Sequence, residues 1–98
     1  MDELADTSAT VGCTVTGITA ALSNVKWYSS GDVELTDTAL YTIADGTLDG
    51  SEVQTTTLTV PGGVTADTTY KCEILGTKYD ASINVYSKLI QTFVVLFN

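Results

Sequence analysis

Cys13 and Cys72 are the only thiols in this 98-residue sequence, and it contains no histidine. Those two facts exclude much chemistry. A serine or cysteine nucleophile needs an adjacent base, usually an imidazole, and a zinc site draws on cysteine and histidine in sets of four. Neither can be assembled here. The twelve carboxylates could work in pairs, as in glycoside hydrolysis. Nothing in the spacing of Asp32, Asp37, Asp45, Asp49 and Asp80 specifies such a pair, and turn or surface positions account for each of them. The run Asp45-Gly46-Thr47-Leu48-Asp49-Gly50 has part of the composition of a calcium loop but lacks the alternating oxygen ligands and terminal Glu of an EF-hand. There is no phosphate-cradling glycine loop and no Asn-x-Ser/Thr acceptor. The sequence therefore reads as a non-enzyme with no cofactor and no metal. For the cysteines two answers stay open at this point. They could be two free thiols, or one disulfide closing a loop of roughly 60 residues, which would contribute about 4 kcal/mol in the chain-entropy model.

Charge narrows the partners. Four lysines and no arginine stand against twelve Asp and Glu, a net of -8. Nucleic acid binding needs clustered cations, and Lys26, Lys71, Lys78 and Lys88 are scattered along the chain. An anionic membrane surface is disfavoured for the same reason. The longest apolar run, Leu89 to Phe97, is too short for a membrane-spanning helix, which needs about 20 residues. Met1-Asp2-Glu3 does not open a signal peptide, so the chain reads as a fragment with an added start methionine. The acidity is read first as a solubility device, and second as a means of steering towards a basic partner.

The elements that must position these residues are strands. Val, Ile, Thr and Tyr are abundant, no apolar period of 3.6 is sustained, and turn residues recur about every ten positions, the pattern of a sandwich or barrel. Ala9, Val11, Cys13 and Val15 alternate with Thr10, Gly12, Thr14 and Thr16, giving one apolar face and one small polar face. Gly17 ends that strand and Ile18 to Asn24 form a loop. Val25 and Trp27 point one way and Lys26 and Tyr28 the other, up to the turn at Ser29-Ser30-Gly31-Asp32. Short strands are expected at Val33 to Leu35 and Leu40 to Ala44. A longer one runs from Glu52 to Val60, with Thr56, Leu58 and Val60 on one face, and stops at Pro61-Gly62-Gly63. Thr69 to Ile74 follows with Tyr70, Cys72 and Ile74 inward. Gly76-Thr77-Lys78 turns the chain, and Ala81, Ile83 and Val85 line a last strand.

Cys13, Trp27 fourteen positions later, and then Tyr70-Lys71-Cys72 together form a pattern similar to the cysteine, tryptophan, tyrosine-x-cysteine framework of the immunoglobulin superfamily. The resemblance covers Asp6 to about Tyr86. It implies an all-β, two-sheet antiparallel Greek-key sandwich. In it Cys13 and Cys72 join strands B and F across the sheets, Trp27 of strand C packs on the bridge, and Tyr70 sits at a tyrosine corner with its hydroxyl bonded to nearby backbone. The inward phase of both cysteines favours the disulfide over free thiols. The cysteine separation and short middle strands resemble constant-type or intermediate-type domains more than variable-type ones, and Phe93-Val94-Val95-Leu96-Phe97 does not match the glycine bulge of variable-domain G strands.

Residues 1–86 are thus expected to form an immunoglobulin-like domain whose strand A is missing or moved. Residues 87–98 are expected to be an apolar strand or the start of a next repeat. Strand A runs antiparallel to B and so roughly parallel to G, and parallel neighbours need a crossover of about a dozen residues or more. Tyr86 to Lys88 offer far less reach, at about 3.6 Å per residue. Strand exchange is therefore one expectation, residues 89–97 pairing in trans to complete a second copy as a homodimer; the alternative is a simple hairpin against strand G, or a disordered cloning remnant.

The resemblance implies an extracellular or cell-surface module for protein recognition, in adhesion or immune-type binding, with a structural spacer in a tandem array as the alternative reading. A carbohydrate- or cation-binding domain is a third. Binding is expected at the loop Gly76 to Asp80, with Lys78 and Tyr79, together with the loop Ile18 to Asn24. A contiguous surface that includes Tyr28, Tyr41, Tyr79 or Tyr86 would favour recognition, and an evenly polar one a spacer.

Overall fold

Alternation of apolar and polar residues builds two sheets with one shared interior. A computed structural model describes residues 8–83 and 91–96. Eight strands are present among them: β1 (Ala9–Thr16), β2 (Lys26–Tyr28), β3 (Glu34–Leu35), β4 (Thr42–Ala44), β5 (Val53–Val60), β6 (Thr68–Ile74), β7 (Thr77–Ile83) and β8 (Gln91–Leu96). One sheet has the order β4-β5-β1-β8 and the other β3-β2-β6-β7. Every pairing is antiparallel except that of β1 with β8.

The period-2 pattern sends Val11, Cys13 and Val15 of β1 and Leu58 of β5 inward from one sheet. Trp27, Cys72, Ile74, Ala81 and Ile83 come inward from the other, and all are essentially inaccessible to solvent. Cys13 and Cys72 form a disulfide between β1 and β6, with Cα atoms 6.8 Å apart, so the bridge ties one sheet to the other. Trp27 lies directly across the β2/β6 ladder from Cys72. Its ring is fully buried and its indole N–H donates to the Thr56 hydroxyl at 3.2 Å, so the polar atom of the largest core side chain is satisfied, as a buried donor must be. The Thr56 hydroxyl in turn donates to the Ala44 carbonyl at 3.1 Å, linking the core to the edge strand β4. Tyr70 is buried and meets Tyr41 edge-on, ring centroids 6.5 Å apart.

The tail departs from expectation in direction. Residues 91–96 pair in parallel with β1, from Val11 opposite Gln91 to Thr16 opposite Leu96. The place beside β1 that a second copy's strand was expected to fill is taken by the chain's own tail. Exchange is required only of a strand antiparallel to β1. A strand parallel to β1 runs against the direction inferred for β7, so a reversal of the chain suffices and no crossover is needed. Val85, Tyr86 and the other residues of 84–90 lie outside the described residues, as does Phe97.

Candidate functional site

The two outer faces differ in kind. On the β4-β5-β1 face the outward positions are mostly threonine, Thr10, Thr14 and Thr16 of β1, Thr55, Thr57 and Thr59 of β5, and Thr42 of β4, with Val53 and Ala44 beside them. Hydroxyls pair across the ladder, Thr10 with Thr59 and Thr14 with Thr55, each at 3.0 Å. Gly12 fits between them because a side chain there would press on the methyl groups of Thr55 and Thr57. No ionisable side chain stands at any of these positions.

The outer face of β3-β2-β6-β7 is ionic and aromatic. Lys26, Lys71 and Lys78 all stand on it, one from each of three adjacent strands, because each alternates with an inward neighbour. Lys26, Glu73 and Lys78 share one row of the sheet, and Glu34, Tyr28, Lys71 and Asp80 the next. Opposite charges therefore face one another across strands, the arrangement that stabilises a sheet surface. The Tyr28 hydroxyl donates to Glu73 Oε1 at 2.6 Å. That bond, followed by burial and the negative charges of Glu73, Glu34 and Asp32, pushes the Tyr28 pKa up to about 12. The Lys78 ammonium lies 4.1 Å from the centre of the Tyr28 ring, within cation–π range.

Asp32 completes this cluster from the turn between β2 and β3. Its Oδ1 accepts from Lys71 Nζ at 3.0 Å and lies 3.5 Å from Lys78 Nζ. The hydrogen bond to Lys71, reinforced by the charges of Lys71 and Lys78, holds its carboxyl below the usual range. The turn is braced: the Ser29 hydroxyl accepts from the Gly31 and Val33 N–H groups, and the Asp32 N–H donates to the Ser29 carbonyl. Asp32 itself has φ 67°, a conformation Asp tolerates better than most residues.

Lys78 and Tyr79, expected to act together in a loop, are separated by the strand. Residues 77–80 belong to β7, and the connection from β6 is the two-residue turn Leu75-Gly76, with φ 50° and 88°. Positive φ at both positions is the type I′ geometry that matches strand twist. Lys78 therefore points outward to the Tyr28 cluster, while Tyr79 packs against the core from the opposite side. Tyr41 is likewise packed against the core, so of the four tyrosines named for a surface patch Tyr28 alone is placed on this face among the described residues.

The structure does bring the Leu75-Gly76 turn beside the 18–24 loop. Leu22 to Lys26 and Glu73 to Gly76 line a groove of about 230 Å³, and Leu75, 65% exposed, also borders a second hollow with Ile18 and Leu22. Gln54, which the sequence reading passed over, and Asp45, which it assigned to a turn, hold this loop. Gln54, 1% exposed, accepts from the Leu22 N–H at 2.8 Å and donates to the Leu22 and Asp45 carbonyls at 2.9 and 3.0 Å. The Asp45 carboxylate accepts from the N–H groups of Asn24 and Val25 at 2.8 and 3.0 Å. Gln54 sits in phase with Thr56 and Leu58, which was the signal that it faces inward.

The chain matches no protein-family model, no curated protein and no solved structure. The reading of its function therefore rests on geometry. Among the described residues no group of three or more His, Cys, Asp or Glu is placed to hold a metal ion, and no helix is long and apolar enough to cross a membrane.

Proposed function

We propose that the chain is an immunoglobulin-like module of an extracellular or cell-surface protein that recognises a protein partner through the outer face of β3-β2-β6-β7. The fold part of this reading is supported by the strand order. If β1 is taken as strand B, then β2 to β7 follow as C, C′, D, E, F and G, and the two sheets become D-E-B and C′-C-F-G, with β8 in the place of strand A. A strand beside C, with none beyond it among the described residues, lies between the constant and variable arrangements. The disulfide between β1 and β6 beside a buried Trp27 supports both the family and an oxidising compartment, where such bonds persist.

The observation that carries the recognition reading is the sorting of charge. In a chain of net charge -8, Lys26, Lys71 and Lys78 gather on the sheet face that carries Tyr28, whereas the outward positions of β4, β5 and β1 are mostly threonine and carry no charge. A face with both signs of charge and an aromatic ring gives specificity and a defined register to a partner. The spacer alternative draws on a different observation: the exposed large apolar side chains among the described residues are Val33, Leu40 and Leu75, which lie on three separate connections. A multimerised form of the chain, screened against a panel of secreted and cell-surface proteins, tests the choice. Selective capture of one or a few partners is expected, and capture of none would leave the spacer reading in its place.

A further inference from the structure

We propose that Lys71 and Lys78 form a binding site for an acidic side chain of the partner protein, and that Asp32 occupies this site in the free chain as a built-in stand-in. The proposal rests on the recognition reading above and names the chemistry of its contact. Two ammonium groups from adjacent strands converge on a single carboxylate oxygen, at 3.0 and 3.5 Å. Neither takes the carboxylate directly across the ladder from it, which is Asp80 for Lys71 and Glu73 for Lys78. Glu73 instead accepts the Tyr28 hydroxyl, which fixes the ring against which Lys78 rests. The two cations are thereby pre-positioned by the sheet and by Tyr28, and Asp32 reaches them from outside it.

The occupant is an aspartate or glutamate because the structure already shows one seated there: a carboxylate carried on a short turn, its approach set by Ser29 and its Oδ1 between the two lysines. Asp32 is displaceable. Its side chain is 54% exposed, against 26% and 39% for the two lysines, and ion pairs at such exposure hold weakly because water and salt compete for both charges. Withdrawal of Asp32 would leave two positive charges facing solvent with a cation–π platform beneath one of them. A partner carboxylate entering this site trades one charge-assisted bond for another, so the site is selective for carboxylate geometry while the free chain exposes two unneutralised lysines for only a small fraction of the time.

The apparent affinity of a self-occupied site is lowered by the fraction of time it stands open, so filling for about nine-tenths of the time costs about tenfold. The test uses the whole chain and its Asp32→Asn variant, Asn being able to keep the positive φ of the turn. The probe is a synthetic peptide with the sequence of residues 29–33 and an amidated C-terminus, whose one carboxylate is that of the aspartate, added in trans and followed by the lysine side-chain resonances in NMR titration. The Asp32→Asn chain should bind it about tenfold more tightly than the unaltered chain, with shifts at Lys71 and Lys78. Binding should be lost with Lys71→Gln plus Lys78→Gln, and with a peptide in which the aspartate is replaced by asparagine. Equal affinity of the two chains, or shifts that survive the lysine changes, would overturn the site. Either result leaves the recognition reading to its own test, since a partner captured in the protein screen could dock elsewhere on the face.

Discussion

Replacing Gln54 by methionine keeps an unbranched side chain of similar length and removes its three hydrogen bonds to the loop at 18–24. A typical hydrogen bond contributes about 1 kcal/mol net, and a buried polar group left without a partner costs about 1–3 kcal/mol. The Leu22 and Asp45 groups are part-buried, so water can reach some of them after the loop shifts. The expected loss is therefore about 2–3 kcal/mol, a large share of the roughly 5–15 kcal/mol typical of a domain. Urea unfolding followed by the fluorescence of Trp27, the single tryptophan, provides the assay, with an unchanged slope showing that the fold is intact. Amide exchange at Leu22 should accelerate in the variant, since its N–H loses its acceptor. A loss under about 0.5 kcal/mol, with Leu22 still protected, would refute the view that Gln54 anchors the loop.

Leu75 stands at a positive φ in a type I′ turn, where Asn is favoured and Leu is not, so Leu75→Asn should stabilise the chain by about 0.5–1 kcal/mol in the same unfolding assay. Gly46→Ala should destabilise it by more than about 1 kcal/mol, because φ there is 74° and a Cβ would run into the Thr55 carbonyl oxygen; thermal melts would show the difference. Tyr28 should titrate about two units above an ordinary phenol, near the value of about 12 to which Glu73 raises it, and Glu73→Gln should bring it back towards 10 in a phenolate absorbance titration. The sign follows from linkage: the folded chain favours the protonated phenol, so this contribution to stability is complete below pH 10 and is lost as pH rises from about 10 towards 12.

How much was legible in the sequence depended on whether one chain segment carried its own signal. The strands around Cys13, Trp27, Leu58 and Cys72 were readable because each has a buried face, and a period of 2 with one buried face fixes both strand and orientation. The same alternation places Gln54 in the interior, but its polarity drew attention away from a position that Thr56 and Leu58 already marked. Lys78 and Tyr79 were read as loop neighbours because Gly76-Thr77-Lys78 has turn composition. A two-residue turn at Leu75-Gly76 starts β7 at Thr77, and consecutive strand residues then face opposite sides. The direction of β8 could not be read locally, since parallel and antiparallel pairing place the same apolar residues beside β1. Nor could the convergence of Lys71, Lys78 and Asp32, whose members come from two strands and a turn and meet only through the register of the sheet.

The central claim is that recognition uses the outer face of β3-β2-β6-β7, and one paired measurement tests it most directly. Binding to the partners captured by the unaltered chain is compared for Lys71→Glu on that face and Thr42→Glu on the threonine face. Both positions are on the surface of opposite sheets, and both substitutions add negative charge. The account predicts at least tenfold weaker binding for Lys71→Glu, a loss of about 1.4 kcal/mol or more, with Thr42→Glu close to the unaltered chain. Weakening confined to Thr42→Glu, or equal in the two, would contradict it.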